Sequence, residues 1–337
     1  MPLKLVIQIP CYNEADTLPA TLAELPREVA GFDVVEILVV DDGSTDDTSG
    51  IARQQGADHV VRLAKNAGLA KAFSAGLDAS LRLGADVIVN TDGDNQYPGS
   101  AIETLVRPIL EGRAEMVIGD RQTDSIPHFS TMKKRLQSLG TRVVRLVSGT
   151  RVPDATSGFR AFSRTAAAQV NVLSDYTYTL ETIIQAGHKR IPMEFVPVET
   201  NPKTRDSRLI KSNLAYVRRS SWTILRFFAI YNPLKAFTLI GGFLLLAGLV
   251  LGVRYLYFVA VGEGAGHVQS VILSAALLII GFQVLVLALI ADLVGANRRL
   301  LEEVLARQRL GDQPPPQFGK AAPEAAPGPE DSDKAPE

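Results

Sequence analysis

Along the first half of the chain, short apolar runs alternate with stretches of helical periodicity. Residues 3–9 form an apolar run with β-branched members that ends at Pro10, and a helical pattern follows from Ala15. The unit then repeats. Residues 34–40 predict a second strand, a helix opened by Asp46 runs through Gln55, and residues 59–63 predict a third strand before a helix over 68–83. Residues 86–91 predict a fourth strand, 99–111 a helix, and 116–119 a fifth strand that stops at Asp120 and Arg121. Short buried strands alternating with helices predict an α/β domain on a mainly parallel sheet, assigned to residues 1–205. Ligands of such sheets collect beyond the carboxyl ends of the strands. Five polar segments stand there, at 10–14, 41–45, 65–68, 92–96 and 120–122.

The second half has a different pattern. Residues 236–253 are apolar or small without interruption, and 268–294 form a second run with sparse polar members, so both are long enough to cross a bilayer. A pair of buried core helices is the competing reading. Two such runs predict a transmembrane hairpin over 236–294, with Gly241, Gly242 and Gly248 offering close helix approach in a homo-oligomer. Arg218, Arg219, Arg226 and Lys235 precede the hairpin, Arg298, Arg299, Arg307 and Arg309 follow it, and the connecting loop VGEGAGH, residues 261–267, has neither Lys nor Arg, with Arg254 just before it near the outer interface. The positive-inside rule then places both flanks in the cytosol. Residues 206–235 mix Tyr216, Trp222, Phe227 and Phe228 with arginines, which suits an interfacial juxtamembrane segment or a plain connecting helix. Residues 295–337 are expected to be a mostly disordered cytosolic tail, rich in Pro, Ala and Glu. The N-terminal residues lack a signal-peptide pattern, so the expectation is a multi-pass protein of the cell (inner) membrane with a cytosolic catalytic domain.

Composition narrows this picture. The formal net charge is −1, which gives no reason to expect a nucleic-acid partner. Cys11 is the only cysteine, which excludes an internal disulfide and a cysteine-rich zinc site.

Asp92 and Asp94 flank a glycine where the fourth strand ends, and alternate residues of an extended backbone point the same way. They can share a hard cation, with Gln96 adding a neutral oxygen, so Mg²⁺ or Mn²⁺ completed by a diphosphate is the expected cofactor. Asp41 and Asp42 stand at the second strand end. One carboxylate could accept hydrogen bonds from a nucleobase edge, the other from ribose hydroxyls or a metal-bound water, while Asp46 can cap the next helix. Lys65, Asn66 and Lys71 border a turn into a helix, where free N–H groups and cationic side chains could face phosphate. Arg160, Lys203, Arg205, Arg208 and Lys211 form a basic cluster before the membrane segment. It suits anionic headgroups or a lipid phosphate acceptor.

The motifs PCYNE, DDGSTDDT, NAGLAKA and DGDNQYP, in this order, together with DATSGFRAFSR, resemble the family 2 glycosyltransferases of the GT-A fold. The resemblance covers residue 3 to about 198. With SGFR, the basic segment and two C-terminal spans, it extends to the branch of dolichol-phosphate mannose synthases and polyprenyl-phosphate glycosyltransferases. It implies inversion at the anomeric carbon, with a nucleotide-sugar (GDP- or UDP-linked) as donor and a polyprenyl phosphate as acceptor. By the same analogy Pro10, Tyr12, Glu14 and Asp42 hold the nucleotide, Asp92, Asp94 and Gln96 the metal, and Arg121 the phosphates at the reaction centre. Lys134 and Ser138 fall where that branch has an Arg and a Ser for the acceptor phosphate, and Lys is a point charge where Arg is a fork. The Gln-x-x-Arg-Trp motif of processive synthases is missing, since Trp222 follows Ser221, which disfavours polymerisation.

An ionised phosphate acceptor needs no strong base, whereas an alcohol such as diacylglycerol does. Asp154 is the residue nominated as that base, its other role being to anchor the TSGFR turn. A catalytically silent nucleotide-sugar-binding scaffold is the reading from a different class.

Overall fold

The computed structural model describes residues 2–121, 145, 149–150, 152–173, 178–201, 226 and 228–311. The strands are β1 (Lys4–Cys11), β2 (Val34–Asp41), β3 (His59–Arg62), β4 (Val87–Asn90), β5 (Met116–Asp120), β6 (Arg160–Ser163) and β7 (Met193–Pro197). The helices between them are α1 (Leu18–Glu24), α2 (Thr48–Gln54), α3 (Leu69–Arg82), α4 (Ala101–Leu110), α5 (Arg164–Gln169) and α6 (Thr179–Lys189). Two long helices follow, α7 (Pro233–Ala260) and α8 (Val268–Leu310), with a 3₁₀ turn at Gly264–His267 between them.

The seven strands form one sheet in the order β3-β2-β1-β4-β6-β5-β7. Every pairing is parallel except those of β6, which runs antiparallel to both β4 and β5. The mainly parallel sheet expected from the pattern is therefore present. The pattern did not foretell β6 and β7, and β6 separates β4 from β5. Side chains alternate across the sheet as the pleat requires: Val6, Leu38 and Ile88 enter one core with α3 and α6, while Leu5, Ile7, Ile37 and Val87 enter the other with α1 and α4. Burial on both faces is why these strands read as continuous apolar runs. The chain leaves β1 for β2 and β3 on one side and returns to β4 on the other, so the crevice of the switch point opens at the ends of β1 and β4.

Within α7 and α8, 18-residue windows reach mean hydropathies of 2.4 and 2.7, and both helices are long and apolar enough to cross a membrane. They pack along small residues spaced by a heptad, Gly241 and Gly248 on one helix against Ser274, Gly281 and Ala288 on the other. That repeat keeps one seam facing the partner. A Cβ on Gly241 would stand 3.0 Å from the Gly281 carbonyl, and Ser274 Oγ donates to the Gly248 carbonyl at 2.6 Å. Two of the three glycines expected to serve an oligomer thus serve the hairpin itself. Gly242 has open space where a side chain would stand.

The expected tail from residue 295 is corrected in its first part. α8 has 43 residues, which rise about 64 Å, against a hydrocarbon thickness of about 30 Å. Its last turns lie on the α/β domain. Arg309 Nη1 donates to the carbonyls of Ala168 (3.3 Å) and Val170 (2.9 Å) and to Asn171 Oδ1 (2.8 Å), and its Nε lies 3.0 Å from Asp78 Oδ1. Higher up, Glu302 pairs with Lys189 at 2.9 Å, and Arg298 lies 4.1 Å above the Tyr231 ring, which stacks on His188. A cation at the C-terminal carbonyls of a short helix is a favourable cap. Residues 312–337 lie outside the described residues.

Candidate active site

The loops after β1 and β2 are sewn together. Asn13, at a φ of 55°, donates its N–H to Ser44 Oγ (2.9 Å) and accepts from the Thr45 N–H (2.8 Å), while the Glu14 N–H donates to Thr48 Oγ1 (3.0 Å). Asp46 accepts from the N–H groups of Ala15 and Thr48, so it ties the two loops one residue before Asp47, the N-cap of α2.

The adjacent carboxylates after β2 have separate tasks. Asp41 is wholly buried and accepts from the Ser44 N–H (2.7 Å) and the Ser49 hydroxyl. This corrects the expectation that it faces a ligand. Asp42 accepts from the N–H groups of Ala67 (2.7 Å) and Gly68 (2.8 Å), so it fixes the turn into α3 that carries Lys65 and Asn66, both exposed. Gly43 makes that approach feasible: its φ is 68°, and an added Cβ would stand 2.7 Å from the backbone nitrogen of Asn66. Lys71 is exposed on the first turn of α3, Tyr12 is exposed beyond β1, Pro10 is buried in β1, and Glu14 is nearly buried.

The Asp92–Gln96 loop leaves β4 across this crevice. The hydroxyls of Thr17 and Thr21 lie 3.0 and 3.2 Å from the Gly93 carbonyl, and Thr17 Oγ1 lies 2.7 Å from Glu14 Oε2. Beyond it Asn95 has a φ of 55°, the Gln96 N–H donates to Asp94 Oδ1 at 3.2 Å, and the Asn201 N–H donates to the Gln96 carbonyl at 2.9 Å. Burial, then the neighbouring Asp94 carboxylate, push the Asp92 carboxyl up to about 7. Two crowded carboxylates in a recess fit a divalent cation. Among the described residues no third His, Cys, Asp or Glu completes a metal-binding group. The further positions would then fall to ligand oxygens and water, the usual arrangement for Mg²⁺.

Arg121, just past β5, meets Asp154 in a two-pronged ion pair. Its Nε donates to Oδ2 at 2.7 Å and its Nη2 to Oδ1 at 3.2 Å, and Nη2 also donates to Thr156 Oγ1 at 2.7 Å. Burial alone would raise the Asp154 carboxyl. The Arg121 charge and the hydrogen bonds from Arg121 and Thr156 outweigh it and hold the group below the usual carboxylate range.

Arg160 departs from its expected role. It is completely buried, donates from Nε to the Ser157 carbonyl (2.8 Å) and from Nη1 to the Thr182 hydroxyl, and so braces the turn before β6 from within. Burial pulls its pKa down to about 10. It is not placed to receive a phosphate. Lys134, Ser138, Lys203, Arg205, Arg208 and Lys211 lie outside the described residues. The residues that sequence reasoning missed are Thr17, Thr21, Asn90, Thr156, Tyr178 and Asn201, which hold the site loops from elements distant in sequence.

The site thus joins a carboxylate pair to a clamped arginine at the carboxyl edge of the sheet. The family model described as glycosyl transferase family 2 matches residues 6–170. The chain is 28% identical over 301 residues to glycosyltransferase AglJ of Haloferax volcanii, covering 87% of this chain and 94% of that protein. It is 27% identical over 233 residues to polyprenol monophosphomannose synthase of Mycolicibacterium smegmatis, covering 65% of this chain and 86% of that one. Among solved structures, glucosyl-3-phosphoglycerate synthase from Mycobacterium tuberculosis has the same fold, with a TM-score of 0.54 at 21% identity over 67% of this chain and 80% of the other. With the motifs, the sheet order and these likenesses in agreement, the chain belongs to the family 2 glycosyltransferases and has their GT-A fold.

Proposed function

We propose that the chain is a membrane-bound inverting enzyme that moves a sugar from a GDP- or UDP-linked donor onto a polyprenyl phosphate at the cytosolic leaflet of the cell (inner) membrane. The observation that carries this reading is the Arg121–Asp154 clamp. Asp154 is the nominated base for an alcohol acceptor, but both its oxygens are taken by Arg121 and Thr156. A carboxylate held below its usual range is a poor proton acceptor, so the site suits a nucleophile that arrives ionised. A phosphate monoester, with a second pKa of about 6, is such a nucleophile. The relative from Mycolicibacterium smegmatis is named for polyprenol mannosylation, which supports an acceptor of this class.

A Mg²⁺ or Mn²⁺ ion held by Asp92 and Asp94, with Gln96 beside them, would supply positive charge to the leaving diphosphate. Arg121 adds fixed charge on the same edge, and the clamp on Nε and Nη2 keeps its guanidinium oriented before substrate arrives. Pro10, Tyr12, Glu14, Asp42, Lys65 and Asn66 form the nucleotide side of the crevice. Exposed Leu239, Phe243 and Leu293 on α7 and α8 suit a lipid surround, and the arginines after the second span suit a cytosolic flank.

The test is transfer of radiolabel from a panel of nucleotide-sugars to undecaprenyl phosphate, dolichyl phosphate or diacylglycerol by the purified protein with Mn²⁺ or Mg²⁺. The expected result is cation-dependent label in a polyprenyl phosphate, absent in Asp94→Ala. Label only in diacylglycerol, or nucleotide binding without any transfer, overturns the reading.

A further inference from the structure

The Asp92 carboxylate rests against the glycine of the SGFR motif. Gly158 lies directly behind it: a Cβ there would stand 3.1 Å from each Asp92 carboxylate oxygen and 2.9 Å from the Tyr178 hydroxyl. The carboxylate and the phenol therefore converge on one Cα. The hydroxyl accepts from Asn90 Nδ2 at 2.9 Å and donates to the Gly158 carbonyl at 3.2 Å, and Asn90 Nδ2 also donates to that carbonyl at 2.9 Å. Asn90 is the last residue of β4, two before Asp92, and its Oδ1 accepts from Gln8 Nε2 at 2.8 Å. This closed set of neutral groups joins the two backbones on either side of Asp92.

The ring that carries the hydroxyl is itself fixed. Tyr178 is completely buried, stacks on Phe73 with centroids 3.9 Å apart, and has the Arg160 guanidinium 5.7 Å from its own centroid. It is also the N-cap residue of α6, whose 11 residues rise about 16 Å. The last turn of that helix meets residues flanking the hairpin, His188 stacking on Tyr231 before α7 and Lys189 pairing with Glu302 near the end of α8.

We infer that Tyr178 is a positioning residue for Asp92, holding the carboxylate in the orientation in which it binds the divalent cation. The inference rests on the cation reading given under Proposed function. A phenol suits the task because it holds the Gly158 turn through hydrogen bonds while leaving the negative charge of Asp92 for the ion. Groups that orient metal ligands in this way typically contribute about 10- to 100-fold in affinity.

The experiment compares the full-length wild-type protein with Tyr178→Phe, Asn90→Ala and Asp92→Asn. Mn²⁺ affinity is read from the loss of the free-ion EPR signal in the presence of saturating UDP or GDP, and unfolding temperature is measured alongside. Tyr178→Phe keeps the ring stack and loses only the hydroxyl. It is expected to weaken Mn²⁺ about tenfold and to raise the Mn²⁺ concentration for half-maximal transfer, with kcat recovering at saturating Mn²⁺. Asn90→Ala removes the donor to the same hydroxyl and carries the test if Tyr178→Phe unfolds. If Asp92→Asn loses the ion while Tyr178→Phe and Asn90→Ala bind it as wild type does, the positioning role is overturned and the cation reading stands. If Asp92→Asn binds Mn²⁺ unchanged, the cation reading fails, and this inference with it.

Discussion

Arg121 and Asp154 face each other through two parallel hydrogen bonds, Nε to Oδ2 at 2.7 Å and Nη2 to Oδ1 at 3.2 Å. One stands just past β5 and the other in the turn before β6, and these strands are neighbours, with Ile118 opposite Arg160. The pair therefore ties the segment after β5 to the turn before β6. Fork-on-carboxylate geometry adds direction as well as energy, which is what a group aimed at developing charge requires.

Asp154→Asn should slow transfer to a polyprenyl phosphate through misplacement of Arg121, and Arg121→Ala should lower kcat by about 10²- to 10³-fold. The discriminating measurement is the pH–rate profile of Asp154→Asn. It is expected to keep the wild-type shape, since on the proposed mechanism an ionised acceptor needs no proton removed. Loss of the acidic limb would restore the general-base role.

The same pair gives the fold a pH dependence. The folded pKa of Asp154 lies below its unfolded value, so its contribution is complete above the unfolded carboxylate pKa of about 4. It is lost as pH falls through the depressed folded value. At pH 7 Asp154→Asn leaves a largely buried guanidinium without its counter-charge and should cost about 3 kcal/mol. Thermal unfolding of wild type and variant from neutral to strongly acidic pH should show a constant gap that closes below about pH 4.

The hairpin seam predicts a contrast between two glycines. Gly281→Ile must displace Leu245, since even a Cβ would stand 2.9 Å from its Cγ, whereas Gly242→Ile enters open space. Overpacking of this kind costs about 1–3 kcal/mol. Thermal unfolding in detergent should show Gly281→Ile destabilised and Gly242→Ile close to wild type. Equal effects would mean that the seam is not the packing surface.

The end of α8 should behave as part of the catalytic domain. Arg309→Ala removes the cation that holds the carbonyls of Ala168 and Val170 and pairs with Asp78. The expected loss is about 2 kcal/mol, the scale of hydrogen bonds to a charged donor. Hydrogen exchange of α5 should rise in the variant while exchange in β1 and β2 stays as in wild type. Unchanged protection of α5 would detach the helix end from the domain.

The sequence by itself determined the features that arise from near neighbours. β1 to β5 could be placed because buried strands read as β-branched apolar runs, and Asp92 and Asp94 stood out because a polar pair follows such a run directly. The spans were visible because hydrocarbon demands continuous apolar residues. Only the tertiary structure decided how the polar residues are used. Asp41 and Arg160 look like ligand groups in the sequence, yet burial and backbone partners consume both, while Tyr178, with no signature at all, lies behind Asp92. The four-residue β6 takes its place through antiparallel pairing with β4 and β5, and α8 continues past the expected membrane boundary to where its Arg309 caps the carbonyls at the end of α5. Local periodicity records which residues avoid water, whereas a hydrogen-bond partner tens of residues away leaves no trace until the chain has folded.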